Sequence, residues 1–197
     1  MISTELQEYY YSVLKERLSE KRYIHSLAVR DEAVKLAKKY KANIDKCYVA
    51  GLLHDVCKEI PFDEMQEMVL NYWQDVSEVE LNEKSLWHAI AGASYVALTL
   101  KVTDKEVLSA IRFHTMGKRN MTQVEKIVFL ADYISADREY EDVSRLRLLA
   151  YSDLNRAVME AVGYTVSQLA SENKIIPYST YECYNQLATY FKSKGLD

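Results

Sequence analysis

Apolar residues recur along most of the chain at the spacing of one helix face, with charged residues between them. Leu27, Val34, Leu36 and Ala37, with Ala28 and Ala33 among them, form one such stripe. A first helix is expected over roughly Thr4 to Glu20, and another from Ile44 to Cys57, ending before Pro61. A further helix runs from near Ser85 to Leu100. Thr103 with Glu106 reads as a capping box opening the next, which carries Val107, Leu108, Ala110 and Ile111. Thr122 with Glu125 repeats the signal ahead of Ile127, Val128, Leu130 and Ala131. After the charged stretch Asp137 to Asp142, helical patterning continues from Val143 to Ala170. A polar loop, Asn173 to Thr180, holds Pro177 and precedes a final helix. No repeat or linker interrupts this, so the expectation is an all-α bundle forming a single domain over 1–197. Its core spans about 20–170, with the terminal helices packed outside it.

Composition narrows the function. Only 5 glycines and 2 prolines disfavour a turn-rich β architecture. A formal charge of −4 gives no support to a broad nucleic-acid surface, though a local basic pocket remains compatible with it. No apolar run is long enough to span a bilayer, and no secretory leader pattern is present. Cys47, Cys57 and Cys183 are isolated and odd in number, as expected for reduced thiols in the cytoplasm. The 16 tyrosines are unusual, and an exposed tyrosine-rich helix could support a homodimer.

The chain has 4 histidines, each in a helical segment: His25, His54, His88 and His114. A lone histidine on an apolar face is more often a hydrogen-bonded core residue than a ligand, and for His88 or His114 alone that reading leads. His54-Asp55 is harder to explain that way. It interrupts the apolar run Val49, Ala50, Leu52, Leu53, Val56, and a buried carboxylate beside a buried imidazole is costly unless paired or bound to a cation. A salt bridge from Asp55 to Lys58 is the structural alternative. Asp132 poses the same problem inside Ile127-Val128-Phe129-Leu130-Ala131-Asp132-Tyr133-Ile134. Two histidines and two aspartates make a mixed nitrogen and oxygen set, suited to iron, manganese or zinc rather than calcium.

In order and context these segments resemble the HD superfamily of metal-dependent phosphohydrolases, in which a histidine, a later His-Asp pair and a later aspartate bind the metal. Five separated motifs sharpen the resemblance: Tyr23-Ile24-His25-Ser26, Gly51-Leu52-Leu53-His54-Asp55 with Lys58, Trp87-His88-Ala89 with Gly92-Ala93, Ala110-Ile111-Arg112-Phe113-His114-Thr115 with Gly117, and Ala131-Asp132-Tyr133-Ile134 with Arg138. Over roughly Arg22 to Leu169 they are similar to the bacterial symmetrical diadenosine tetraphosphatases (bis(5'-nucleosyl)-tetraphosphatases).

The resemblance implies cleavage of diadenosine tetraphosphate into two ADP by a metal-activated water. The cofactor would be one or two divalent ions, iron first, with manganese, cobalt or zinc as alternatives. His25, His54, Asp55 and Asp132 would be the metal ligands, Asp55 also orienting the water. His88, His114 and Lys58 would offset charge on phosphate oxygens, or the two histidines would hold a second ion; either histidine could protonate the leaving group. Arg22, Tyr23, His88, His114, Thr115 and Arg138 would line the nucleotide site, joined by the loop Ile175, Ile176, Pro177, Tyr178, Ser179 and Thr180. One departure is visible. The family continues Ala-Asp-Tyr-Ile with Glu-Pro, whereas this chain has Ser135-Ala136 followed by Asp137, which is expected to compensate from nearby. The competing readings are another HD nucleotide phosphohydrolase acting on monophosphates, a non-catalytic nucleotide sensor, and a purely structural helical protein.

Overall fold

A computed structural model describes residues 2–73 and 75–195. Among these residues the helices are α1 (Thr4–Arg17), α2 (Glu20–Tyr40), α3 (Ile44–Leu53), α4 (Phe62–Tyr72), α5 (Glu78–Asn82), α6 (Trp87–Leu98), α7 (Lys105–Arg112), α8 (Gln123–Ile134), α9 (Val143–Ser152), α10 (Leu154–Ser171) and α11 (Tyr178–Ser193), with a 3₁₀ turn, Lys84–Leu86, leading into α6. The fold class is all-α, as expected. α4 and α5 fill the stretch between Pro61 and Ser85, for which no element was expected.

Several helix starts follow side-chain chemistry. The Thr122 hydroxyl accepts from the Glu125 N–H while the Glu125 carboxylate accepts from the Thr122 N–H, so this capping box forms as read. The other does not. α7 is capped by Asp104, whose Oδ1 accepts from the Glu106 and Val107 N–H groups. The helix expected over Val143 to Ala170 breaks at Asp153. That residue is extended and caps α10 through the Arg156 N–H, while its own N–H closes α9 on the Leu149 carbonyl.

Helices α2, α3, α7 and α8 pack around one core, with α6 against α7 and α4 against α6. In α8, Ile127, Val128, Leu130 and Ala131 are fully enclosed. α2 and α3 cross closely because Gly51 has no side chain. A Cβ there would lie 3.1 Å from Ala33 Cβ and 3.2 Å from Arg30 Cα. α1 buries Tyr10, Val13 and Leu14, and α11 packs against α10.

The expected continuation of α3 to Cys57 is also corrected: the helix ends at Leu53. Beyond it the chain tightens into i→i+3 turns, with Val56 N–H on Leu53 O and Lys58 N–H on Asp55 O. That change of pitch directs His54 and Asp55 toward α2, α6 and α8.

Candidate metal centre

His25 comes from the second turn of α2, His54 and Asp55 from the turn after α3, His88 from the first turn of α6, His114 from just beyond α7, and Asp132 from α8. Their rings form a chain, with centroids 5.3 Å apart for His25–His54, 4.9 Å for His54–His114 and 5.3 Å for His88–His114. All four histidines and Asp55 are buried.

Each imidazole is held by its Nδ1. His54 Nδ1 lies 2.8 Å from Gly51 O, His88 Nδ1 2.8 Å from Ser85 O, and His114 Nδ1 2.7 Å from Ile111 O. A carbonyl only accepts, so these three rings carry a proton on Nδ1, and each turns its Nε2 the other way. His25 Nδ1 meets a carboxylate instead, Asp137 Oδ2 at 2.7 Å.

The Nε2 atoms converge on the aspartates. Asp55 Oδ1 lies 3.4 Å from His88 Nε2 and 3.6 Å from His114 Nε2, and Asp55 Oδ2 lies 3.6 Å from His54 Nε2. Asp132 Oδ1 lies 3.0 Å from His25 Nε2 and 4.0 Å from His54 Nε2. Even so, His25 Nε2, His54 Nε2 and Asp55 Oδ1 are buried without a hydrogen-bond partner. Unpaired buried polar atoms are rare, because each costs about 1–3 kcal/mol. Here they face one another in three overlapping groups: His25 with His54 and Asp55, His54 with His114 and Asp132, and Asp55 with His88 and His114. Such inward-facing donors fit a divalent cation.

The electrostatics agree with that reading. Burial pushes His54 down to about 4 and, with Lys58 beside it, His88 down to about 3, so both rings are neutral lone-pair donors at pH 7. Burial acts to raise Asp55 and Asp132, but is outweighed. His54, His114 and Lys58 hold Asp55 well below its usual range, and His25, His54 and Arg138 do the same for Asp132. At His25 burial acts downward, yet the Asp132 and Asp137 carboxylates leave it above its ordinary value. Three cations rim the cluster: Arg22 Nη1 at 3.2 Å from Asp55 Oδ2, Lys58 Nζ at 2.9 Å from His88 Nε2, and Arg138, which donates to the Asp132 carboxylate.

A model of the HD domain matches residues 22–137, which span every residue of this cluster. The chain belongs to the HD-domain family. This HD-domain chain is 35% identical over 176 residues to the symmetrical bis(5'-nucleosyl)-tetraphosphatase of Bacillus subtilis, covering 89% of this chain and 94% of that one. It is 37% identical over 175 residues to the protein of the same name from Halalkalibacterium halodurans, covering 89% and 93%. A crystal structure of an HD superfamily hydrolase described as involved in NAD metabolism, from Clostridium acetobutylicum, superposes with a TM-score of 0.90 at 34% identity, covering 96% of this chain and 99% of that one.

Other expected residues lie farther out. The Tyr23 ring sits under Lys15 of α1, 5.6 Å from its Nζ. Pro177, Tyr178 and Ser179 line a cavity of about 340 Å³ with Arg112, Phe113 and Lys118, which does not include the cluster residues. Ile175 is exposed, Ile176 half-buried and Thr180 buried. A different cavity, of about 310 Å³, opens from Asp132 and Arg138 and is lined by Thr115, Tyr133, Tyr140, Tyr164 and Gln168. Tyr140, Tyr164 and Gln168 were not singled out from the sequence. The only available signal was that Tyr164 and Gln168 share a face of α10 at i,i+4.

Proposed function

We propose that this HD-domain chain hydrolyses diadenosine tetraphosphate symmetrically to two ADP, with a divalent metal held by His25, His54, Asp55 and Asp132. The observation that carries the reading is the uniform arrangement of the imidazoles: Nδ1 engaged on every ring, Nε2 turned inward onto two depressed carboxylates. The names and long alignments of the relatives support the substrate. Iron is the first candidate for the ion, with manganese, cobalt and zinc compatible with the same donors. The three thiols, all free and buried, support a cytoplasmic enzyme; among the described residues no helix is long and apolar enough to cross a membrane. One continuous apolar core supports a single domain.

When bound, the cation supplies Lewis acidity and lowers the pKa of a water. The protein's own groups do the rest. Arg22, Lys58 and Arg138 offset charge as it grows on the inner phosphates. His88 is neutral and accepts from Lys58, so the mobile proton in this part of the site belongs to Lys58, whose pKa burial lowers. The cavity beside Arg138 takes one nucleoside arm. Tyr140 and Tyr164 offer ring faces to its base, Gln168 an amide to the base edge, and Thr115 a buried Oγ1 that has no partner. The grouping of Asp55, His88 and His114 favours a two-ion centre as the second reading.

The test is incubation of protein loaded with Fe²⁺, Mn²⁺ or Co²⁺ with diadenosine tetraphosphate, products resolved by chromatography, and Asp55→Ala as control. ADP as sole product, absent in the variant, supports the proposal. ATP plus AMP, or no turnover with any of the three metals, overturns it. Metal analysis of the loaded protein separates one ion from two.

A further inference from the structure

Three of the four histidines are oriented by a backbone carbonyl three residues earlier in their own helical turn. No single side-chain substitution removes those contacts. His25 differs. It lies inside α2, where backbone carbonyls are committed to the helical ladder, and its Nδ1 is served by Asp137, 112 residues away.

That carboxylate is itself fixed. The buried Ser135 hydroxyl donates to Asp137 Oδ1 at 2.7 Å, leaving Oδ2 for the imidazole. The turn carrying both residues is closed by Arg138 N–H on Ser135 O at 3.0 Å. Arg147 of α9 clamps it from outside, donating to Ile134 O at 2.9 Å, Ser135 O at 2.7 Å and Arg138 O at 3.0 Å.

His25 therefore stands between two carboxylates, Asp137 at Nδ1 and Asp132 3.0 Å from Nε2. To take a cation the His25 ring must be neutral, and it then has one proton to give. If it goes to Asp132, the Nε2 lone pair is lost to a cation; if it goes to Asp137, Nε2 stays bare. We propose that Asp137, aligned by Ser135, is the positioning residue that keeps the His25 proton on Nδ1 and so sets the affinity of the centre for its cation. The inference rests on the metal reading above and adds a residue outside the ligand set.

Asp137→Asn tests it at nearly constant shape. The asparagine amide can donate to Nδ1, which drives the ring proton to Nε2, against Asp132. Asp137→Ala removes the same charge without reversing the proton. The measurement is Mn²⁺ affinity by competition with a fluorescent chelator, together with the visible spectrum of the Co²⁺ form and the melting curve in EDTA. Loss of an outer partner typically weakens metal binding about 10–100-fold. The expected result is a loss of that size for Asp137→Asn, at least as great as for Asp137→Ala, with a weakened Co²⁺ band, a metal-free form that still unfolds in one cooperative transition and partial recovery in Asp137→Glu. An Asp137→Asn protein that binds Mn²⁺ like the parent, or better than Asp137→Ala, overturns the inference and leaves the metal centre standing. A parent chain that binds neither Mn²⁺ nor Co²⁺ overturns both.

Discussion

Replacing His54 by leucine separates a ligand from an ordinary core residue. His54 is fully buried and neutral at pH 7, so the substitution removes no charge. It breaks the hydrogen bond from Nδ1 to Gly51 O, which costs about 1 kcal/mol. It also removes an Nε2 buried without a partner, whose desolvation costs about 1–3 kcal/mol. Leucine is close to imidazole in bulk, and Leu52 and Leu53 beside it are fully enclosed, so no large cavity is expected. In EDTA at pH 7.5 the variant should therefore match the parent or exceed it by up to roughly 2 kcal/mol, read from urea unfolding. Metal should reverse the order. An ion at a hundred times its Kd stabilises the parent by about 2.7 kcal/mol. The variant, short of a ligand, should gain far less, so the two stability curves cross as Mn²⁺ is added. A variant less stable than the parent by more than about 2 kcal/mol in EDTA, or a parent indifferent to Mn²⁺, would refute this reasoning. Either result would return His54 to the role of a hydrogen-bonded core residue.

Acid should weaken the metal-free protein through the same rings. His54 and His88, held at about 4 and about 3, stay neutral in the fold while an unfolded histidine takes its proton near pH 6.5. A depressed pKa contributes stability present above pH 6.5 and lost as pH falls toward the folded value. By pH 4.5 this amounts to roughly 2–3 kcal/mol per ring at 1.36 kcal/mol per unit. His25, raised, works the other way: its contribution is present below pH 6.5 and fades as pH rises through its folded value. Urea midpoints should fall between pH 7 and 4.5, and a flat or rising profile would contradict the two-against-one balance. Gly51→Ala should cost about 1–3 kcal/mol by forcing α3 off Ala33 and Arg30, seen as a lowered Tm and weaker Mn²⁺ binding; an unchanged melt would show that the crossing can relax. Tyr164→Ala should raise KM for the dinucleotide about tenfold or more, since base stacking on an aromatic ring contributes about 1–3 kcal/mol, with kcat nearly unchanged. An unaltered KM would move the nucleoside arm to another cavity.

Much of this molecule is written in short stretches of chain, where the physics is local. The capping box at Thr122 and Glu125 forms from residues three apart, and the apolar stripe read on α2 is met at Ala33, Leu36 and Ala37, while Leu27, Ala28 and Val34 are only partly buried. The tension that pointed to a site is local as well: His54-Asp55 and Asp132 put polar groups inside apolar runs, and the fold buries His54 and Asp55 with atoms left unpaired. Other features depended on competition between neighbours. Asp104 displaced Thr103 as a cap, and Asp153 divided a pattern that periodicity alone reads as continuous, because a carboxylate outcompetes the helix for a nearby N–H. What only tertiary structure decided is the pairing of residues remote in sequence. Asp137 reaches His25 because α8 packs on α2, Arg147 reaches three carbonyls because α9 folds back beneath the loop, and Tyr164 and Gln168 join Arg138 at one cavity. Local composition selects which groups must be satisfied on burial, but the partner that satisfies each is chosen by helix packing, which no window of sequence contains.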